Sequence, residues 1–314
     1  MGDVSRLASR TLLHRFALAS LVANVGIVIT GGIVRLTGSG LGCPTWPRCT
    51  ADSYVTTAAM GHHGLIEFGN RLLTFVVGAL AVACVLLAET RRRRGGRDWS
   101  ETRLALLVFA GIPLQGVIGG ITVLTDLNPW VVGLHFLGSM AVIAAAYALV
   151  SATSAAAAPS WQAPVAVRRL GQVVLGVSAL VLVAGVVVTG SGPHAGDQNA
   201  RRTGLDPEMI SQLHVDVVMI LLGLTIAMIF VLRATGGPVR PAAILLGVEL
   251  SQGLIGFVQY FTHLPETLVV AHMGGSCLVW IATLALYDHL RARTPTTTPV
   301  TPVPVSPAPA LAVR

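Results

Sequence analysis

The stretch His62-His63-Gly64-Leu65-Ile66-Glu67-Phe68-Gly69-Asn70-Arg71 leads straight into an apolar run from Leu72 to Ala88. In a helix, residues three, four and seven apart share a side, so His63, Glu67 and Asn70 or Arg71 lie on one face. Imidazole can ligate a metal or carry a proton near neutral pH, and a carboxylate beside it can act as a base. An ionisable group entering a membrane span is expensive and marks a site by default. Glu67 has three readings: an ion pair with Arg71 one turn on, a proton acceptor, or a stabiliser of positive charge developing on a reacting carbon. Three further histidines, His135, His214 and His272, each fall inside an apolar segment a turn or two below one surface, where an unpaired imidazole is costly. Trp130 marks that interface above His135, and Pro265-Glu266 marks it above His272. His14 and His289, at segment ends, and His194 and His263, in loops, are expected to have no ligand role.

The elements that must position these groups are membrane spans. The chain has 314 residues, 53% hydrophobic and 11% charged, with mean hydropathy +0.73, far from the soluble globular norm. The net charge of +7 is carried by arginine alone, and its distribution argues against nucleic acid as a partner. The first apolar run, Phe16 to Val34, is too long for a cleavable signal core and reads as the first span. Eight apolar segments fit the ~30 Å hydrocarbon core, at 14–34, 66–88, 104–122, 131–150, 170–190, 210–232, 242–261 and 267–287. Arg91 to Arg94, Arg97, Arg103, Arg168, Arg169, Arg233 and Arg240 fall on one side with Arg6, Arg10, Arg15, Arg291, Arg293 and Arg314. By the positive-inside rule that side is the cytoplasm, so both termini are expected there and the 35–65 and 191–209 loops outside. The tail after Arg293, rich in Pro, Thr and Ala, is expected to be disordered.

Two internal echoes divide the chain. Thr37-Gly38-Ser39-Gly40 recurs as Thr189-Gly190-Ser191-Gly192, each followed by histidine at the head of the next span. Leu114-Gln115-Gly116-Val117-Ile118-Gly119 recurs as Ser251-Gln252-Gly253-Leu254-Ile255-Gly256, and a histidine, His135 or His272, comes 20 residues after each glutamine. The expected fold is therefore all-α and integral to the membrane, with eight transmembrane helices arranged as two pseudo-symmetric four-helix bundles. Its parts are an N-terminus over 1–13, a first bundle over 14–150, a linker over 151–169, a second bundle over 170–288 and the tail over 289–314. His214 precedes Arg233 by 19 residues, placing it roughly 28 Å above that span end, and His272 has similar depth. Two imidazoles at one depth in neighbouring helices, with glycines to admit a flat ring, suit a bis-histidine heme. Zinc would need three or four donors, and no convincing set of cysteines or carboxylates accompanies them.

The run Gly31-Gly32-x-Val34-Arg35-x-Thr37-Gly38-Ser39-Gly40-Leu41-x-Cys43-Pro44-x-Trp46-Pro47-x-Cys49, then Ile66-Glu67-Phe68-Gly69-Asn70-Arg71, then His135, His214 and His272, resembles the heme A synthase family. The likeness covers nearly all of 14–288. It implies a heme b between His214 and His272, and a first bundle that takes heme O as substrate and oxidises a ring methyl to a formyl group, giving heme A. It carries the family's glutamate onto Glu67, a first-bundle histidine onto His135 and an external cysteine pair onto Cys43 and Cys49. The family's usual Glu-x-x-His-Arg reads here Glu67-Phe68-Gly69-Asn70-Arg71, which points to an actinobacterial-like variant. Asn70 precedes Glu89 by the same 19 residues that separate His214 from Arg233, so it stands at ligand depth without a ligand's chemistry. His63, or His62 by repeat spacing, could serve the first-bundle heme through a bend, or His135 could hold it alone.

Cys43 and Cys49 sit in an external, oxidising setting, and a disulfide is expected rather than two free thiols. Cys84 and Cys277 read as buried small hydrophobes. Gln115 and Gln252 are expected to hydrogen-bond between helices, with Gly116 and Gly120 as a small-xxx-small packing pair. Arg35 and Arg71 could pair with heme propionates or be ordinary interfacial arginines. The resemblance further implies a heme O synthase as supplier, a membrane electron acceptor and the lipid bilayer as partners, and homo-oligomerisation is compatible with it. The rivals are a b-type electron-transfer cytochrome without catalysis, and a transporter, which parallel repeats also suit.

Overall fold

The computed structural model describes residues 2–95, 99–154 and 161–291, with side chains from residue 10 on. Arg97, Arg293, Arg314 and the expected disordered tail lie outside the described residues, as does part of the linker. Eight long helices run in order: α1 Gly2–Leu36, α2 Gly61–Gly95, α3 Ser100–Leu124, α4 Pro129–Thr153, α5 Val165–Ser191, α6 Pro207–Ala234, α7 Arg240–Phe261 and α8 Glu266–Leu290. All eight are long and apolar enough to cross a membrane, so this is an all-α, multi-span membrane protein. Large apolar side chains such as Phe75 and Leu254 project outward, as a surface bathed in lipid tails allows.

Several helices outrun their apolar segments. α2 continues to Gly95 because each added residue gains a backbone hydrogen bond once the helix is nucleated. Glu89 supports that extension through Arg92 at 2.6 Å and Arg93 at 2.7 Å, one turn away. Starts are set by caps: the Asn128 side chain accepts the Trp130 N–H at 3.0 Å ahead of α4, and Asp206 accepts the Glu208 N–H at 2.9 Å ahead of α6. Proline follows each cap, where its missing N–H does no harm. The tight turns entering α4 and α8 match, with Asp126 and Leu127 at φ 51° and 57° and His263 and Leu264 at φ 62° and 58°.

Packing follows chain order. α1 touches α2 and α4, α2 touches α3, and α3 touches α4; α5 touches α6 and α8, α6 touches α7, and α7 touches α8. The two sets meet where α1 and α4 pack on α8, and α4 on α5. One core gathers Leu21, Val77, Val108, Ile143 and neighbours, another Val174, Leu221, Met228, Leu245 and Leu286. Polar contacts stitch the sets together: Trp280 Nε1 donates to the Met140 carbonyl at 3.0 Å, and Ser151 Oγ to Asp288 at 2.5 Å. Arg91, 4% exposed, pairs with Glu101 of α3 at 3.1 Å. The expectation for Gly116 and Gly120 needs correction. A Cβ on Gly116 would meet nothing within 4 Å, whereas one on Gly120 would strike the Trp46 indole. Gly120 makes room for a loop side chain, not for a second helix.

Candidate functional site

His135, His214 and His272 share one local construction. A Cβ built on Gly119 would stand 3.2 Å from Cε1 of His135, one on Gly185 3.2 Å from Cε1 of His214, and one on Gly256 3.2 Å from Cε1 of His272. Each imidazole therefore lies against a bare patch of the preceding helix, α3, α5 or α7, which any side chain would crowd. Glutamine and glycine repeat the pattern one turn away. Gln252 Nε2 donates to the His272 carbonyl at 2.6 Å, Ser139 Oγ donates to Gln115 Oε1 at 3.3 Å, and the two amides cover Gly275 and Gly138. The Nδ1 atoms of all three histidines are buried without a hydrogen bond of ordinary geometry. The carbonyls of Val181 and Gln252 approach His214 and His272 respectively. A carbonyl beside one ring nitrogen selects the tautomer that leaves the other free to ligate.

Asn70 completes the set. Its Nδ2 lies 3.9 Å from the Cβ position of Gly31, five residues before the end of α1, as Gly185 lies six before the end of α5. Thr30 Oγ1 donates to Asn70 Oδ1 at 2.7 Å, so the carbonyl end of the amide is held and the NH2 end is turned toward Gly31. Thr30 carried no sequence signal, because nothing in its spacing ties it to a residue 40 positions on. His63 and His62 are elsewhere. α2 is unbroken from Gly61, so His63 stays about 10 Å along the axis from Asn70. His63 Nδ1 is 2.9 Å from Ser39 Oγ, the two rings lie 4.0 Å apart, and His62 is exposed.

Glu67 is 5% exposed and doubly engaged. Oε1 takes Arg71 at 2.5 Å, and Oε2 accepts the Cys43 N–H at 2.6 Å. Arg71 also donates to the carbonyls of Cys43, Thr45 and Arg48 at 2.9, 3.1 and 3.3 Å. Between those points the loop is closed by a Cys43–Cys49 disulfide with Cα atoms 4.4 Å apart, and it lays Trp46 over Gly120 of α3. The carboxylate and guanidinium thus hold this loop over the end of the helix set, and Glu67 keeps spare acceptor lone pairs. Arg35 is tied to the last turn of α5 and the loop after it: Nη2 donates to the Thr189 carbonyl at 2.8 Å and Nε to that of His194 at 2.6 Å.

Among the described residues no three His, Cys, Asp or Glu side chains converge as a metal site. Imidazoles flanked by glycine clearances are a donor set that a flat, axially ligated macrocycle could use. One buried acid escaped the sequence reading. Glu249 of α7 is 7% exposed, with Thr225 Oγ1 donating to its Oε1 at 2.9 Å. The available signal was its place as the lone acidic residue of the segment 242–261.

A family model described as "Cytochrome oxidase assembly protein" (COX15-CtaA) matches residues 14–196. Among similar proteins, the heme A synthase of Geobacillus kaustophilus is 32% identical over 129 residues, covering 40% of this chain and 38% of that one. The match to the first such relatives thus spans about two fifths of their length. Longer alignments reach the heme A synthases of Azorhizobium caulinodans, 26% identical over 86% of this chain and 90% of the relative, and Shewanella oneidensis, 25% identical over 90% and 97%.

Proposed function

The chain belongs to the COX15-CtaA family of cytochrome oxidase assembly proteins, and on that premise we propose that it oxidises a ring methyl of heme O to the formyl group of heme A. The observation that carries this reading is the fourfold recurrence of one arrangement, an imidazole or amide laid against a helix glycine: His135 on Gly119, His214 on Gly185, His272 on Gly256 and Asn70 on Gly31. With the matching turns and the order of helix contacts, it supports two pseudo-symmetric four-helix bundles. His214 and His272 would hold heme b in the second bundle, where it would supply a one-electron carrier. His135 would offer its imidazole to the substrate's iron in the first bundle. Asn70, at ligand depth on α2, would offer an amide in place of a second ligand, so His62 and His63 would not be needed there and the substrate could leave.

Glu67 takes the proton released as the methyl is oxidised, and Arg71 fixes its position. Conversion of methyl to formyl, in net form R–CH3 + H2O → R–CHO + 4 H+ + 4 e−, adds one oxygen atom at the oxidation level of water and releases four protons and four electrons, which requires both a base near the carbon and an exit for electrons toward a membrane acceptor. Arg71, engaged with Glu67 and three loop carbonyls, and Arg35, tied to the carbonyls of Thr189 and His194, position the loops. The arginine-rich helix ends face the cytoplasm of a cell membrane, and a heme O synthase supplies the substrate. The test is purification from cells that make heme O, with a visible spectrum and identification of the extracted hemes. Heme b together with heme O or heme A is expected. A colourless protein would overturn the reading, and heme b alone would leave the passive cytochrome.

A further inference from the structure

Glu249 has no part in the chemistry above. Oε1 accepts from Thr225, while Oε2 is buried with no hydrogen-bond partner. Glu249 follows Arg240, the start of α7, by nine residues. That is about 13 Å along the axis, near the middle of a ~30 Å hydrocarbon layer.

Every helix around it leaves that depth uncharged. α7 packs on α6 and α8. On α6, Thr225 marks the level, with Asp216 nine residues to one side and Arg233 eight to the other. On α8, His272 and Asp288 flank the level from either side, and the titratable groups between them are the Tyr287 phenol, beside Asp288, and the Cys277 thiol, whose Sγ lies 3.6 Å from the Met273 carbonyl. α5, which packs on both α6 and α8, has no ionisable side chain after Arg169. The nearest formal charges on α6 and α7 are thus roughly 12 Å or more along the axes, and no ion pair to Glu249 exists among the described residues.

A lone carboxylate in an apolar medium takes up a proton rather than remain charged. As an acid, the group would accept from Thr225 through Oε1 and carry its proton on the free Oε2. We propose that Glu249 is an intramembrane proton-binding site whose proton affinity follows the charge held between His214 and His272. This rests on the reading of those histidines as heme b ligands. At a pH alkaline enough to ionise Glu249 beside a ferric iron, a one-electron reduction of that iron by an added reductant would be accompanied by uptake of one proton from solvent onto the Glu249 carboxylate; reoxidation by an added one-electron oxidant would release both. Glu249 is seven residues from Gly256, which faces His272, about 10 Å along α7. At an effective dielectric near 20, a unit charge at that distance changes proton affinity on the order of tenfold.

Two measurements on the purified full chain test this. Infrared spectra should contain the C=O stretch of a neutral carboxylic acid, sensitive to deuterium, lost in Glu249→Gln and shifted but kept in Thr225→Val. Redox titration of the second-bundle heme across pH should show a potential lower at the alkaline limit by that tenfold factor, about 59 mV for one electron. Glu249→Gln should remove this component and leave any pH dependence from other groups. An unchanged pH dependence in Glu249→Gln, or no acid band attributable to Glu249, overturns the proposal. A protein that binds no heme defeats the ligand reading instead, and the infrared band then decides the proton site by itself.

Discussion

Glu67 joins the loop to α2 through two oxygens, and removing them one function at a time separates anchoring from catalysis. Glu67→Ala deletes the acceptor for the Cys43 N–H, a charge-assisted bond of 2.6 Å, and the partner of Arg71 at 2.5 Å. Arg71 keeps its three loop carbonyls, so the loss is less than that of a fully orphaned buried pair. A hydrogen bond to a charged group contributes about 1.5–3 kcal/mol. The loop should therefore open about 2–3 kcal/mol more easily, and the Cys43 amide should exchange with deuterium roughly 30- to 150-fold faster. Glu67→Gln retains an acceptor and loses only charge, about 1 kcal/mol or roughly fivefold. Hydrogen exchange read by mass spectrometry at the Cys43 peptide measures both without requiring heme. Heme A formation should be abolished in both variants if the charge itself acts at the substrate. Unchanged Cys43 exchange in Glu67→Ala would refute the anchoring argument, and full heme A formation in Glu67→Gln would end the catalytic one.

Asn70→His should place an imidazole opposite His135 and convert the first-bundle heme to a six-coordinate, low-spin spectrum; a wild-type spectrum already of that kind would contradict the single-histidine site. Gly120→Ala drives a Cβ into Trp46 and should lift the disulfide loop, read as a change in tryptophan fluorescence and faster exchange at Cys43. Gly275→Ala meets the Gln252 amide and should break its bond to the His272 carbonyl, which weakens retention of the second-bundle heme while leaving the first unaffected. His214→Ala and His272→Ala should each remove the second-bundle absorption, and survival of that absorption in either would refute the pairing.

Much of the architecture was legible because lipid imposes simple rules. A span must be about 20 apolar residues, so the eight segments stand out and the helices include them. Helix ends were less legible, as at α2, because backbone hydrogen bonding and the Glu89 pairs carry a helix past its apolar run. The repeat was visible in Gln115 and Gln252 and reappears as matched contacts with Gly138 and Gly275. Glu249 is legible only as the lone acid of the segment 242–261, with no motif around it to give it a role.

Spacing by itself determined that His135, His214, His272 and Asn70 sit near a common depth, since rise per residue is fixed in a helix. It could not say which way each side chain turns relative to a neighbouring helix, because that angle is set by packing between segments far apart in sequence. The tertiary structure decided that each of the four meets a glycine of the preceding helix, that Thr30 holds Asn70, and that His63 turns to Ser39. It also joined Glu67 to Cys43, 24 residues away. These are contacts across helices and loops, and they form only when the chain folds back on itself and a buried donor has to find an acceptor.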